Sequence, residues 1–175
     1  MIALAELKIP KIPAEKFLPT IIQDTREQTP LVFTNLPVVV DGLTTGDYSV
    51  RGLEDDFAVE RKTLPDLFGS LTSGRERFMR ELQRMQAFPF RRLLVIGSES
   101  EISMGSSRAK GINPKAILHS LAAIEARGVP VVFAPSGHAA AILVERWAFW
   151  RAREVLKMAN KLFDTPNLPS QLQKI

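Results

Sequence analysis

The chain has 175 residues, 45% of them hydrophobic, which is enough for one domain with a real core and excludes a disordered chain. It has no cysteine, which excludes disulfides, zinc–cysteine sites and thiol chemistry and fits a reducing intracellular setting. Lys and Arg number 23 against 19 Asp and Glu, a net charge of +4 with a sequence pI near 9.6, so a polyanion such as nucleic acid suits it, although many ordinary proteins share that balance.

No apolar run approaches the ~18 residues of a membrane span. The start, MIALAELKIPKIPAEKF, has scattered charge and no apolar core, so it is not a signal peptide. Residues 1–19, with Pro10, Pro13 and Pro19, read as an extended arm. Ile21-Ile22-Gln23 is a first strand ending at Asp24, and Val38-Val39-Val40 a second, with Asp41-Gly42 as a turn. Tyr48-Ser49-Val50 alternates as a third. After the turn at Arg51-Gly52, Phe57 to Lys62 is a fourth. Thr63 then opens a helix with Pro65 in its first turn.

From Arg75 to Phe88, Phe78, Leu82 and Met85 recur at helical spacing. Leu93 to Ile96 is a continuous apolar run suited to a buried strand. Gly97 to Gly111 is a polar loop rich in serine and glycine. Asn113-Pro114 starts a helix that stops at Gly128. Val131 to Phe133 is the last strand, and Ser136 caps a helix from about Ala139 to Lys161. The segment from Asp164 is a frayed end or a linker stump. Strands first, then alternating helices and strands, predict an α/β fold of three layers with a central mixed sheet flanked by helices. The domain is expected over residues 20–162, with a tail at 163–175.

One constellation carries chemistry. Asp47, after Gly46, and Glu60-Arg61-Lys62 lie on successive antiparallel strands, a spacing that can bring both acids to one spot. Residues i and i+2 of a strand face the same way, so Glu60 and Lys62 point together while Arg61 points to the other face. Phosphodiester hydrolysis needs an activated water, a polarised phosphate and a stabilised leaving oxygen, and one or two Mg2+ (or Mn2+) ions can supply all three. Mg2+ prefers oxygen ligands and keeps several waters. Asp47 and Glu60 are the natural ligand pair, and the Arg61 backbone carbonyl a third. Lys62 can hold the attacking water or offset phosphate charge. Asp24 and Glu27 can add outer or second-metal oxygens. For Asp66, a capping role after Thr63 and a site role stand equally. Pro65-Asp66 follows the Glu-x-Lys element, so the aspartate that must precede it is Asp47.

Arg77, Arg80 and Arg84 form a basic stripe; with Arg75, Arg91 and Arg92 nearby they can contact phosphates. Glu76 and Glu81 interleave with them, so an ion-paired, solvated face is the equal alternative. Arg108 and Lys110 are a second basic patch. Leu143, Trp147 and Trp150 form a stripe on the last helix, suited to core packing or to an interface. His119 and His138 lack metal-ligand spacing.

GDYSV followed by AVERKTLPD resembles the GD…ERKxxxD signature of XPF-type structure-specific endonucleases. IIQDTRE resembles that family's first strand and D-x-R-E element. Leu67-Phe68-Gly69-Ser70-Leu71 and Ser73-Gly74-Arg75 resemble the stretch that follows. The likeness covers about residues 20–160 and implies a restriction-endonuclease-like fold of the PD-(D/E)xK superfamily. It implies metal-dependent cleavage of branched DNA (flaps, forks or junctions) in repair, recombination or replication. By position, Asp24, Glu27, Asp47, Glu60, Arg61, Lys62 and Asp66 would line the site, and Arg75 would sit near a phosphate. Family nuclease domains pair through C-terminal helices, so a homodimer or a partner protein is expected there. Many relatives add a helix-hairpin-helix or helicase domain; neither signature is present, so a stand-alone nuclease domain is expected. Its setting would be intracellular, cytoplasmic and nucleoid-associated or nuclear. The alternatives are a non-cleaving DNA-binding or partner scaffold and a junction resolvase of the wider superfamily.

Overall fold

The computed structural model describes residues 13, 17–104 and 113–162. Its strands are β1 (Ile21–Asp24), β2 (Val38–Asp41), β3 (Tyr48–Val50), β4 (Phe57–Thr63), β5 (Phe90–Ile96) and β6 (Val131–Ala134). Its helices are α1 (Leu64–Leu71), α2 (Arg75–Met85), α3 (Glu99–Ser103), α4 (Pro114–Ala126) and α5 (Gly137–Leu162). The strands form one sheet in the order β2-β1-β3-β4-β5-β6. β3 runs antiparallel to both β1 and β4, while β2 with β1, and β4 with β5 and β6, are parallel. The sheet is mixed, as expected.

Alternation along β4 separates two cores. Ala58 faces a cluster built with Leu67, Phe68, Phe78, Leu82, Met85 and Leu121 of α1, α2 and α4. Phe57 and Val59 face the opposite cluster, with Tyr48, Leu94 and the α5 residues Ala140, Val144 and Ala148. The fold is therefore three-layered, with α1, α2 and α4 on one face and α5 on the other. The period of two continues into the polar half of β4, which sends Glu60 and Lys62 toward α2 and Arg61 toward the other face.

The helix signals hold where a cap was legible. The Thr63 side chain accepts from the Asp66 N–H, and Asn113 accepts from the Lys115 N–H with Pro114 in the first turn. Such caps contribute about 1 kcal/mol each. Ser136 accepts from the Ala139 N–H and opens α5. Along α5, small residues at four-residue spacing (Ala140, Val144, Ala148, Ala152) are buried and let the helix lie close to the sheet.

Three sequence expectations change. A short helix, α3, occupies part of the region expected to be loop; the Ser98 side chain caps it and Ile102 anchors it in the core. Helix α2 ends at Met85, before Phe88. Strand β5 begins at Phe90, so Arg91 and Arg92 belong to it. The expected tail at 163–175 and nearly all of the arm lie outside the described residues.

Candidate active site

Asp47 sits one residue before β3 and is held from three sides. Its N–H donates to the Val59 carbonyl at 2.8 Å, and its carbonyl accepts from the Asp24 N–H at 2.9 Å. Its Oδ2 accepts from the Arg61 N–H at 2.7 Å. The preceding glycine makes this approach feasible. Gly46 has φ +78°, and a Cβ there would lie 3.0 Å from the Val59 carbonyl oxygen. The Gly-Asp pair thus delivers a carboxylate onto the strand that carries the second acid.

That acid, Glu60, is 1% exposed. Its Oε1 accepts from Lys62 Nζ, while its Oε2 is buried without a hydrogen-bond partner. Leaving a buried polar atom unpaired costs roughly 1–3 kcal/mol, more for a charged group. Lys62 Nζ also lies 5.5 Å from the centre of the Phe78 ring of α2. Burial first, and then the neighbouring Asp47 charge, pushes the Glu60 carboxyl up to about 8. Burial likewise pushes Asp47 up to about 6, against the Arg61 hydrogen bond and the Lys62 charge. Burial works against the Lys62 charge, but Glu60 and Asp47 outweigh it and the ammonium is held protonated. Two carboxyls raised together beside a lysine are the electrostatic pattern that clusters at functional sites.

The other expected acids have different surroundings. Asp24 is buried, and both its oxygens are occupied by Arg26 Nε (2.7 Å), Arg26 Nη2 (3.0 Å), the Arg26 N–H (2.8 Å) and the Leu43 N–H (2.7 Å). Burial alone would raise its pKa; those hydrogen bonds carry it below the usual value. Asp24 ties the loops after β1 and β2 together and offers no open ligand oxygen. Glu27 is turned away from Glu60. It forms a bidentate pair with the Arg61 side chain (2.7 and 3.0 Å) and accepts from the Thr29 N–H. Asp66 exchanges hydrogen bonds with Thr63, so the geometry favours its capping role.

These features converge with sequence comparison. The ERCC4 domain family matches residues 20–146. The chain belongs to that family. ERCC4 domains are the nuclease domains of structure-specific DNA endonucleases. Among solved structures, XPF from Aeropyrum pernix aligns with TM-score 0.63 and 23% identity, over 76% of this chain and 61% of that one. XPF from the same organism in complex with DNA aligns with TM-score 0.57 and 20% identity, over 86% of this chain and 68% of that one. These likenesses establish the fold. The chain spans 61% of the length of the first of them. A comparison with curated proteins finds no match.

In this ERCC4 domain the arginines divide. Arg75 Nη1 donates to Ser120 Oγ at 3.1 Å and braces α2 against α4. Arg91 donates to the Gly128 and Phe88 carbonyls, and the Arg92 guanidinium lies 4.4 Å from the centre of the Phe90 ring, so both are held in place by uncharged partners. Arg77, Arg80 and Arg84 are exposed, and among the described residues their one ion pair, Arg80 with Glu76 at 3.8 Å, is solvated and worth little. The stripe is therefore open rather than neutralised. Arg108 and Lys110 lie outside the described residues.

The aromatic stripe splits as well. Leu143 and Trp147 pack on the core, whereas Trp150 is 57% exposed. Among the described residues no helix is long and apolar enough to cross a membrane.

Two residues read in the sequence only as part of the α2 charge stripe and of the D-x-R-E element, Glu81 and Arg26, lie near the site. The Glu81 charge of α2 acts on both Glu60 and Lys62, and the Asp47 and Glu81 charges favour the Arg26 guanidinium. The one sequence signal for Glu81 was its place between Phe78 and Leu82, on the edge of the apolar stripe.

Proposed function

We propose that this ERCC4 domain is a divalent-cation-dependent endonuclease acting on branched DNA: flaps, forks or junctions. The observation that carries the reading is the buried, unpartnered Oε2 of Glu60 beside Asp47 and Lys62. An acid so placed is costly unless something positive fills the position.

The donors fit Mg2+ or Mn2+. Asp47 and Glu60 would supply carboxylate oxygens. The Arg61 carbonyl leaves β4 on the side toward which its N–H reaches Asp47, and would supply a third oxygen. No group of three His, Cys, Asp or Glu side chains closes a full cage among the described residues. That is compatible with Mg2+, which keeps several of its waters. When bound, such an ion supplies phosphate polarisation and a more acidic water. The chain does the rest. Asp47 is fixed by the Arg61 N–H, Lys62 Nζ holds a positive charge for the scissile phosphate or the attacking water, and the Phe78 ring limits water around it. Both carboxyls must ionise to serve as ligands, so cation affinity rises with pH.

Arg77, Arg80 and Arg84 would contact phosphates of the bound DNA. A second copy or a partner protein would dock on α5, where Trp150 stands with Leu18, Ile142 and Phe149 around a hollow of about 470 Å³. Solution mass from light scattering tests that part directly.

The central test is purified protein with Mg2+ or Mn2+ and labelled flap, fork, four-way junction and linear duplex. Cleavage of branched substrates in preference to the duplex is expected. Binding of all four with cleavage of none would leave a DNA-binding scaffold in its place. Cleavage confined to the four-way junction would favour a resolvase.

A further inference from the structure

Six side chains of α2 carry charge: Arg75, Glu76, Arg77, Arg80, Glu81 and Arg84. Five are exposed; Glu81 is half-buried. Arg77 stands at i−4 and Arg84 at i+3 from it, the positions at which helix surfaces form ion pairs. Glu81 pairs with neither among the described residues. It lies one turn beyond Phe78, whose ring is beneath Lys62 Nζ, so this edge of α2 faces the polar end of β4. Glu81 is near enough for its charge to reach Glu60 and Lys62, and Arg26 joins the group from the β1 side. Glu81 is thus a half-buried acid with no ion pair to its two helix neighbours among the described residues, on the edge of α2 that faces Glu60 and Lys62.

An accumulation of negative charge alone would be an unexplained cost. The independent observation is again Glu60 Oε2, buried and without a hydrogen-bond partner. Three acids and an orphaned oxygen balance when a dication is present.

We propose that Glu81 is a third acidic member of the Asp47–Glu60 cation site, acting from α2 as an outer carboxylate that accepts hydrogen bonds from the hydration shell of the ion. The inference rests on the cation-dependent reading above. An outer position follows from the lack of a three-acid cage and from the waters that Mg2+ retains. In this position Glu81 also offers Lys62 a second carboxylate when Glu60 turns to the ion. Glu81 is a positioning residue in this scheme, because it acts through the ion and through Lys62.

The test is Mn2+ binding to the full chain, followed by electron paramagnetic resonance of free Mn2+ at fixed salt and pH, without DNA. Wild type, Glu81→Gln, Glu81→Asp and Glu76→Gln are compared. Glu81→Gln is expected to bind about tenfold more weakly, the lower end of what outer-shell partners contribute. Glu81→Asp recovers part of the loss, and Glu76→Gln, on the exposed side of α2, matches wild type. Without metal, Glu81→Gln melts close to wild type, because Glu81 makes no hydrogen bond or ion pair among the described residues and its attractions to Lys62 and Arg26 offset its repulsion of Glu60. Glu81→Ala answers the same question if the glutamine variant misfolds. Wild-type affinity in Glu81→Gln, or equal losses in Glu81→Gln and Glu76→Gln, overturns the proposal. Wild type that binds no Mn2+ overturns the underlying cation-dependent reading and this inference with it.

Discussion

Asp47 Oδ2 accepts a 2.7 Å hydrogen bond from the Arg61 N–H, so one acid of the pair is fastened to the strand that carries the other. Asp47→Asn keeps the shape and removes the charge. It is expected to lower cleavage of branched DNA by about 100-fold or more, the scale on which loss of a key electrostatic group acts. DNA binding, measured by fluorescence anisotropy, should stay within about threefold, since one buried charge contributes little to phosphate contacts. Equal loss of binding and cleavage would argue against a role confined to the site.

Glu60 makes stability depend on pH in an unusual direction. Its carboxyl is raised from 4.5 to about 8. Between those values the folded chain keeps a proton that the unfolded chain has lost, so stability falls as pH rises through that window. Asp47, raised to about 6, adds the same sign over a lower range. Glu60→Gln should therefore raise the metal-free Tm at pH 8 by several degrees, with a smaller gain at pH 5. For a chain of this size each kcal/mol is worth roughly 2–4 °C. Mn2+ should raise the wild-type Tm at pH 8 and leave that of the variant nearly unchanged. Differential scanning calorimetry at the two pH values reads all of these.

Glu27 and Arg61 form a buried pair, with side chains 4% and 7% exposed. Removing one partner strands the other charge. Arg61→Met is expected to cost about 3–5 kcal/mol in urea unfolding. Glu27→Gln combined with Arg61→Met should cost clearly less than the sum of the single changes, because the pair is lost once. Additive losses would contradict a direct pairing.

Glu145 of α5 is buried and accepts from the Thr34, Asn35 and Leu36 N–H groups and from Asn35 Nδ2. Burial alone would raise its pKa, but these donors hold it below 4.5. Its contribution is complete above that value and is lost as pH falls through the lowered one. Glu145→Gln should cost about 2–4 kcal/mol at pH 7. The gap to wild type should narrow steadily below about pH 4.5, opposite in sense to the Glu60 effect.

Much of this arrangement was legible along the chain. The period of two in Phe57–Lys62 put Glu60 and Lys62 on one face and Arg61 on the other, and β4 has that alternation. Gly46 stood before Asp47 in the sequence signature, and the structure shows the use of that glycine in a φ of +78° and a close approach to Val59. Thr63 and Asn113-Pro114 marked helix starts, because a cap is a contact between residues two or three positions apart. All of these depend on neighbours in sequence.

What lay beyond the sequence concerns partners from distant segments. The ion pair of Asp24 with Arg26 is local and compatible with the sequence, but the Leu43 N–H that completes its occupation comes from 19 positions away. Glu27 and Arg61 meet across 34 positions, and Glu81 faces the site because α2 packs over the polar end of β4. Arg75, Arg91 and Arg92 read along the chain as one basic group, and only the fold gives them Ser120, Gly128 and Phe90 as neighbours. The sequence by itself determined the order of every described element except α3, the faces of β4 and the Asp47–Glu60 pair of acids. Only tertiary structure decided which acids are free, because that depends on the donors that folding places within about 3 Å of each oxygen.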